Sequence, residues 1–379
     1  MKHLFPLLFF CLLAACSGRP GAAVSGNLDW NLFRGEPSLS GYTATRLPEK
    51  PVLLWTYKGE SRTVSSPIVK NGTTYWCDKR GGIRGVDLKG EAVFAYDLQT
   101  AVEATPMIAD SMLYIGRVDG FMTAVSLSTR DTAWNYETMG QISASPNRVE
   151  FEGRQALVFG SYDNYLHCID AQTGEALGRF ESGYYLNGAA AIRNSYILFG
   201  GCDAWLRIVD SRTGIQTDSL ELDAYVPASP AVREDDCYVG DYSGTIYELV
   251  LKEGKIARHR KMVSAESENG SFVSMPAVTE KALYFLSGDR YLHSINRKTG
   301  ETNWKYLLKG NTGESSPLVC RDQIMVCTKT GMVSILDADS GKLLWEYDTG
   351  ESITASPAVI KDHFMILTAK GTLFCFGEQ

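Results

Sequence analysis

Cysteine and histidine are the residue types in this chain best suited to metal binding, redox exchange or nucleophilic attack, and their spacing favours none of these. The chain has nine cysteines and five histidines. No two cysteines are adjacent or in a C-x-x-C pattern, which removes redox pairs, covalent haem and the usual zinc spacings. His167, His259, His293 and His363 lie far apart, outside metal-ligand spacing. No nucleophile elbow, phosphate-binding loop or HExxH motif occurs. The sequence therefore predicts no catalytic, cofactor-binding or metal-binding residue and no cofactor.

The other polar candidates fit structural roles. Asp119, Asp163 and Asp203 recur in short turns, where an aspartate side chain bonds the backbone two residues on. Most cysteines beyond residue 16 sit in apolar runs, as Cys168 does, and are predicted to be buried free thiols. A basic cluster at residues 255–261 is predicted to be the solvated face of an outer strand.

The N-terminal region is a separate unit. A short positive start precedes an apolar run at residues 4–13. This run is too short to span a bilayer, which needs about 20 residues, but it suits a secretory signal. It ends in Leu-Ala-Ala-Cys at residues 13–16, which resembles the bacterial lipoprotein box, in which the signal is cut before a cysteine that carries the lipid. We predict a signal peptide at residues 1–15. Residues 16–28 are then the lipidated Cys16 and a flexible tether. The alternative is an ordinary signal peptide with Cys16 incidental.

Beyond this region one short segment returns eight times. Each copy is a proline, usually after Ser or Thr, followed by apolar residues, and successive copies are 39 to 46 residues apart. A period near 40 is typical of a four-stranded propeller blade. The prolines are Pro67, Pro106, Pro146, Pro230, Pro276, Pro317 and Pro357, with Ala190 at the remaining place. The sequence thus predicts an all-β fold, an eight-bladed β-propeller with four-stranded blades.

The fourth strands of the repeats indicate how the ring closes. They are predicted near Trp55, Phe94, Trp134, Leu177, Asp218, Ala257, Trp304 and Trp345. The first of these precedes the first repeat, whereas the last repeat ends after three strands. The N-terminal strand is therefore predicted to complete the last blade, so that no sheet edge is left open. Residues 29–379 then form a single propeller domain. Seven blades is the alternative, because the fourth and fifth units are weak copies.

Four turns carry a family resemblance. They look like the Asp-x-x-Thr-Gly-x-x-x-Trp repeat of PQQ-like (pyrroloquinoline-quinone-like) β-propellers, and they lie at residues 170–174, 210–214, 296–304 and 337–345. In that family the tryptophan docks between adjacent blades, a role for a large flat apolar surface. The resemblance covers roughly residues 30–376. Residues 29–35, Asp-Trp-Asn-Leu-Phe-Arg-Gly, also resemble the Trp-x-x-Phe-Arg-Gly opening of many lipoproteins of this kind.

The resemblance implies two functions of different classes. Quinone-dependent alcohol and sugar dehydrogenases of this type hold the quinone with a vicinal Cys-Cys disulfide, a tryptophan, Ca²⁺ and an aspartate base. This chain has no Cys-Cys, and its nearest segment is Gly-Gly-Cys-Asp-Ala-Trp at residues 200–205. The BamB-like group of outer-membrane barrel-assembly lipoproteins has a lipobox, a tether, eight blades and no catalytic centre. That group acts as a scaffold on the periplasmic domains of the barrel insertase.

We therefore expect a lipid-anchored, extracytoplasmic, protein-binding scaffold and not an enzyme. A PQQ-dependent dehydrogenase and a ligand-binding or sensory propeller of unassigned role are the alternatives. The resemblance implies a location in the bacterial cell envelope, at the outer membrane facing the periplasm. The implied partners are other envelope proteins, the barrel insertase among them, with membrane attachment through the lipid anchor. We expect a monomeric propeller. The net charge of −7, from 37 scattered basic and 44 acidic residues, argues against nucleic-acid binding.

Three loop tyrosines are the candidate partner-binding residues. Tyr184, Tyr185 and Tyr225 precede the first strands of the fourth and fifth units. The BamB-like group places its partner-facing loops there, with a Leu-x-Leu-Arg pattern where this chain has Tyr-Tyr-Leu-Asn-Gly at residues 184–188. Aromatic side chains in loops suit interface anchors. Packing of these rings over the channel mouth is the equal alternative.

Overall fold

Each repeat alternates short apolar runs with turn residues, and each run forms one strand of a blade. A computed structural model describes residues 28–263 and 272–378. The predicted signal peptide, Cys16 and nearly all of the tether lie outside these residues. A 3₁₀ turn spans Phe33–Gly35. In chain order the strands are β1 Tyr42–Thr43, β2 Val52–Lys58, β3 Ile68–Lys70, β4 Thr73–Cys77, β5 Gly82–Val86, β6 Ala92–Asp97, β7 Met107–Ala109, β8 Met112–Gly116, β9 Phe121–Ser126, β10 Thr132–Glu137, β11 Asn147–Phe151, β12 Arg154–Gly160, β13 Tyr165–Asp170, β14 Ala176–Glu181, β15 Ala191–Arg193, β16 Tyr196–Gly200, β17 Trp205–Asp210, β18 Ile215–Glu221, β19 Ala231–Arg233, β20 Asp236–Gly240, β21 Ile246–Lys252, β22 Lys255–Val263, β23 Ala277–Val278, β24 Ala282–Leu286, β25 Tyr291–Asn296, β26 Thr302–Leu307, β27 Leu318–Cys320, β28 Gln323–Cys327, β29 Met332–Asp337, β30 Leu343–Asp348, β31 Ala358–Ile360, β32 His363–Leu367 and β33 Thr372–Gly377.

These strands form eight antiparallel blades, which confirms the predicted eight-bladed propeller. Blades 1 to 6 contain β3–β6, β7–β10, β11–β14, β15–β18, β19–β22 and β23–β26, and blade 7 contains β27–β30 with β1 added in parallel. Blade 8 contains β31–β33 and takes its outer strand from β2. The register of that closing pair runs from Val52 opposite Gly377 to Lys58 opposite Thr372. The N-terminal strand therefore closes the ring, as predicted from the strand count.

Burial follows the position of a strand within its blade. The middle strands are buried along nearly their whole length, as in Tyr165–Asp170, whereas outer strands such as Thr132–Glu137 alternate between exposed and half-buried residues. This is the pattern of sheets stacked face to face around an axis, because only the outer edge meets water. No helix among the described residues is long and apolar enough to cross a membrane.

The repeated Asp-x-x-Thr-Gly turn lets one blade dock on the next. Asp170 Oδ1 accepts hydrogen bonds from the amides of Gln172 and Thr173, at 2.9 and 3.0 Å, and Gly174 follows at φ +74°. A Cβ at Gly174 would lie 2.7 Å from the ring of Trp134 in the preceding blade. Glycine is required there both by the backbone conformation and by the tryptophan above it. The repeat pattern therefore specifies packing between blades as well as turn shape.

Residues 30–43 fill one end of the axial channel, a feature that the repeat did not predict. Amides of the innermost strands donate hydrogen bonds of 2.7–2.9 Å to this segment's carbonyls: Val69 to Trp30, Ile108 to Asn31, Ile192 to Pro37, Val232 to Ser38, Val278 to Ser40 and Val319 to Gly41. Six blades thus bond to one stretch of chain, which we call the plug.

The Trp-x-x-Phe-Arg-Gly opening supplies the shape of the plug. Gly35 has φ +80°, and a Cβ there would lie 2.5 Å from the Trp30 ring. The Arg34 side chain is buried, lies over Gly41 and donates from Nη2 to the carbonyl of Pro276 at 2.8 Å. Burial lowers the pKa of Arg34 to about 9. The Trp-x-x-Phe-Arg-Gly motif therefore forms the buried part of the plug.

Candidate functional site

A blind well remains on the side of the channel that the plug leaves free. It has a volume of about 450 Å³, and Phe33 of the plug lines it. Its wall is made of the residues just before each first strand and of the loops that enter the blades, among them Glu103, Asn187, Glu314 and Thr354. We call the face on which these loops lie the upper face. The well therefore belongs to the face that carries the tyrosine loops.

A ring of hydroxyl groups joins the blades around the well. At five of the eight junctions, the residue before the repeat proline donates its amide to the hydroxyl of the equivalent residue in the next blade. The bonds are Ser66 to Thr105 at 2.9 Å, Thr105 to Ser145 at 3.1 Å, Met275 to Ser316 at 3.0 Å, Ser316 to Ser356 at 3.1 Å and Ser356 to Ser66 at 2.9 Å. Ala189 offers no hydroxyl at the corresponding place in blade 4. The serine of the Ser-Pro pattern thus accepts a hydrogen bond between blades, and the proline marks the start of a strand.

Five tyrosines form two stacked clusters on the upper face of blades 3 to 5, which together we call the tyrosine patch. Tyr184 and Tyr185 have ring centroids 4.3 Å apart, and Tyr185 stacks on Tyr162 at 4.8 Å and 8°. Tyr225 stacks on Tyr242 at 4.5 Å and 18°. Tyr184, Tyr185 and Tyr242 are 50%, 38% and 47% exposed. The patch therefore presents flat aromatic surface to solvent.

Backbone hydrogen bonds hold the patch in place. The loop entering blade 4 is tied to the second turn of that blade by Cys202 N to Tyr185 O at 2.9 Å. The corresponding bond in blade 5 runs from Tyr242 N to Tyr225 O at 2.9 Å. Burial, followed by the neighbouring Tyr242, raises the pKa of Tyr225. The tyrosines are thus displayed on loops whose backbone is already bonded.

The fold does not require tyrosine at these positions. The same pair of loop positions, with the same backbone bond, holds Lys79 and Arg62 in blade 1. It holds Val118 and Ala101 in blade 2. Since charged, apolar and small side chains serve equally well in equivalent places, the aromatic residues of blades 3 to 5 have a reason other than blade formation.

The structure brings the three candidate tyrosines to one face and adds two that the sequence analysis missed. Tyr184 and Tyr185 are exposed and Tyr225 is half-buried. Tyr162 and Tyr242 lie in the turns between second and third strands, in Ser-Tyr-Asp and Asp-Tyr-Ser. Aligning those turns across the repeats would have revealed them. The turn position that holds Tyr162 in blade 3 and Tyr242 in blade 5 bonds, through its backbone, to the loop that enters the same blade. The role of these residues in binding remains a prediction.

The turn aspartates have structural partners, as predicted. Asp163 accepts from His167 Nε2 at 3.0 Å, and Asp203 forms a salt bridge of 2.5 Å with Arg207. Burial lowers the pKa of His167 below its usual value, against the opposing effect of Asp163. In blade 6, Asp289 contacts His293 in the same way at 3.0 Å. Each pair fixes a turn to the third strand of its own blade.

The outer strand that carries the basic cluster at residues 255–261 is solvated along most of its length, as the sequence predicts, and Arg260 is the exception. Arg260 donates to Glu248 Oε2 at 2.5 Å, and that carboxylate also accepts from Tyr238 Oη at 2.8 Å. Arg297 of blade 6 donates to Tyr238 Oη at 2.9 Å and forms a salt bridge with Asp236 at 2.6 Å. Blade 5 lacks the docking tryptophan, so this charge network occupies the boundary between blades 5 and 6.

The well does not match the requirements of a quinone and a Ca²⁺ ion. Among residues 28–263 and 272–378, no group of three or more His, Cys, Asp or Glu side chains gathers as a metal site requires. The described lining carries Glu103 and Glu314 but no lysine or arginine to receive an anionic quinone. The seven described cysteines are free, and all but Cys202 are buried. The donor set therefore provides neither the disulfide face nor the cation site of the dehydrogenases.

Together these features define a PQQ-like β-propeller with a plugged channel, a shallow acidic well and an aromatic upper rim. The family model described as "Outer membrane protein assembly factor BamB" matches residues 52–184 and 163–379. The chain belongs to this family. A protein of that same description from Legionella pneumophila (strain Paris) is 27% identical over 136 residues, which are 36% of this chain and 33% of that protein. The match thus spans about a third of the length of that curated relative.

Solved structures share the fold. BamB from Moraxella catarrhalis superposes with a TM-score of 0.72 at 18% identity, covering 87% of this chain and 98% of that one. Quinohemoprotein alcohol dehydrogenase from Comamonas testosteroni superposes with a TM-score of 0.77 at 13% identity, covering 93% and 81%. Since the BamB structure and the dehydrogenase superpose on this chain about equally well, the fold alone does not select a function.

Proposed function

We propose that this protein is a lipid-anchored scaffold of the bacterial envelope that binds other envelope proteins through the tyrosine patch. The observation that carries the proposal is the stacked group of exposed Tyr184, Tyr185 and Tyr242 with half-buried Tyr162 and Tyr225, at loop and turn positions where blades 1 and 2 have no aromatic residue. Tyrosine is enriched at binding hot spots because it offers a large apolar face and one polar atom at a small cost in side-chain entropy.

Membership of the assembly-factor family supports the class of partner. Proteins of that description take part in outer-membrane protein assembly, and we propose the same role for this chain, with the barrel insertase as the partner. The charge and donor arguments made for the well favour a scaffold over a quinone enzyme. Anchoring through Cys16, at the outer membrane and facing the periplasm, is part of the proposal and rests on the Leu-Ala-Ala-Cys sequence.

Site-specific photo-crosslinking tests the proposal. A photoreactive phenylalanine analogue placed at residue 184 or 242 should yield adducts with the barrel insertase in intact cells. The matched control carries the same analogue at Ile215, which is 63% exposed on the opposite face. Replacing Tyr184, Tyr185 and Tyr225 together with alanine should weaken capture of the insertase at least tenfold, since loss of one hot-spot aromatic costs about 2 kcal/mol or more.

Control variants outside the patch show whether capture depends on the tyrosines or on any exposed apolar residue. Replacing the exposed Ile215 and Leu344 with alanine should leave capture unchanged, because both lie outside the patch. Equal crosslinking from residues 184 and 215, or undiminished capture by the triple tyrosine variant with an unchanged melting temperature, would contradict the proposed interface.

A further inference from the structure

The well beside the tyrosine patch is lined by hydroxyl and carboxylate oxygens and has few free backbone N–H groups. Around most of its circumference the backbone amides are already used, because each donates to the hydroxyl of the next blade. Ser66, Thr105 and Ser316 are examples, with N–O distances of 2.9 to 3.1 Å. A ligand entering the well therefore finds few protein N–H groups to bind.

Two acceptors in the wall lack partners. Asn187 Oδ1 and Thr354 Oγ1 are shielded from solvent and accept no hydrogen bond, although both residues line the well. The Asn187 side chain is fixed from its other end, since Nδ2 donates to Cys202 Sγ at 3.3 Å. A buried polar atom without a partner costs about 1–3 kcal/mol. Both oxygens are covered by neighbouring atoms, so a bound group gains this energy only if the side chains around them move aside.

The charge of the wall has one sign. Glu103 and Glu314 are the charged residues of the described lining. Glu103 accepts from Gln141 Nε2 at 3.2 Å and Ser143 Oγ at 3.3 Å and pairs with Lys79 at 3.2 Å, and Glu314 pairs with Lys329 at 4.0 Å. Both lysines are about half exposed, and exposed pairs of this kind are weak. The lining itself therefore contributes two carboxylates, whose lysine partners are solvent-exposed and can be displaced by a cation that enters the well.

The aromatic rings connect the well to the patch. Tyr162 lines the well and also stacks on Tyr185 of the patch. Phe33 forms part of the floor. An aromatic face attracts a cation within about 6 Å of the ring centre. A partner segment lying on the patch is thus placed beside an opening that combines carboxylates, unpaired acceptors and aromatic faces.

We propose that the well receives an arginine side chain of the protein partner that the tyrosine patch binds, an inference that rests on the proposed function. The guanidinium group carries five N–H donors in a planar fork and a permanent positive charge, and it stacks on aromatic rings. The N–H donors match the acceptors of the wall, the positive charge matches the two carboxylates, and the planar group can stack on Tyr162 or Phe33. The volume of about 450 Å³ lies in the range of small-ligand pockets.

A pair of short peptides tests the inference without the natural partner. The probe is acetyl-Gly-Arg-Gly-amide, and its matched control carries citrulline, which has nearly the same shape but no charge. Calorimetric titration of the full-length chain in detergent, at low ionic strength, should show that the arginine peptide binds at least tenfold more tightly. That ratio corresponds to the lower end of the range for hydrogen bonds to charged groups.

Carboxylate variants assign the binding to the well. The double substitution Glu103→Gln and Glu314→Gln should reduce binding of the arginine peptide to the level of the citrulline peptide. Glu91→Gln with Glu175→Gln removes the same charge from exposed turns outside the well lining and should change affinity less than twofold. Alanine at Ile215, which is exposed and belongs neither to the tyrosine patch nor to the well lining, should leave the small peptide's affinity unchanged.

The outcomes separate this inference from the proposed function. Equal binding of the two peptides, or loss of affinity that is the same in both double variants, overturns the arginine pocket while leaving the crosslinking result from the patch untouched. Selective arginine binding that needs Glu103 and Glu314 supports the pocket even where crosslinking from the patch fails.

Discussion

The hydroxyl ring predicts that two single substitutions change stability in opposite directions. Ser66 Oγ accepts the amide of Ser356 at 2.9 Å, at the joint between the last blade and the first. Ser66→Ala removes that acceptor and leaves a buried amide unpaired. Ala189→Ser adds a hydroxyl at one of the two equivalent positions that have none, the other being Met275 of blade 6, and it lies next to Ser145 of blade 3 in the ring. We expect the first variant to be less stable than the parent and the second to be more stable.

The magnitudes follow from the cost of an unpaired donor and the gain from a made bond. An unsatisfied buried N–H costs about 1–3 kcal/mol, whereas a new neutral hydrogen bond contributes about 0.5–1.5 kcal/mol. With an unfolding entropy of about 2.1 cal/mol/K per residue, 1 kcal/mol shifts the melting temperature of a chain of this size by about 1.4 °C. Ser66→Ala should therefore melt about 1–4 °C lower, and Ala189→Ser about 1–2 °C higher.

Calorimetry on matched variants provides the measurement. Ser128→Ala, in an exposed turn, is the control and should stay within about 0.5 kcal/mol of the parent. If Ser66→Ala melts together with Ser128→Ala, or if Ala189→Ser melts below the parent, the hydroxyls do not join the blades as the hydrogen-bond pattern implies.

Three further predictions concern anchoring, closure and pH. Cys16→Ala should release the folded propeller from membranes or leave it unprocessed, and unchanged retention on fractionation would argue against the anchor. Starting the chain after Tyr57 removes the strand paired with β33 and should abolish cooperative melting, whereas removing residues 17–28 should not; coincident melts would refute this. Burial lowers the pKa of His167 and His293 below 6.5. The unfolded chain therefore takes up protons first as the pH falls below about 6.5, and the free energy of unfolding should drop by up to about 1.4 kcal/mol per pH unit for each histidine. The variant with His167→Gln and His293→Gln should show a weaker dependence of the free energy of unfolding on pH, measured by urea titration at several pH values. An equal dependence in the parent and the variant would exclude these two histidines.

The blades could be predicted from sequence because their signals are local and repeated. A proline at the start of a strand and an aspartate-to-glycine turn act within a few residues, so eight copies gave eight sheets and the position of the closing strand. The plug is different. Its residues occur once, without a period, and their carbonyls bond to blades spread over most of the chain, as with Gly41 and Val319. Only the Trp-x-x-Phe-Arg-Gly resemblance marked it.

The candidate site could be predicted in part. Tyr184, Tyr185 and Tyr225 were found because they are aromatic residues in loops, outside the periodic pattern of the strands. Tyr162 and Tyr242 were missed because they adjoin turn aspartates that explain the turn without them. The partner of Arg260 was missed for a similar reason, since Arg260 faces a buried glutamate, Glu248, that belongs to the neighbouring strand. Pairings across strands are not encoded in the local spacing.

The position of the plug and of β2 also determines when the molecule can become native. Both are synthesised before any blade exists, yet Val52 pairs with Gly377 and the plug needs the inner strands of six blades. The contacts that complete the fold therefore join the two ends of the chain, which gives the propeller a high contact order and predicts slow folding. Linear repeat arrays can grow one unit at a time. Here the plug and β2 are made long before their partners, and β2 must stay unpaired until β33 is made, so a chain arrested before β33 cannot complete its ring.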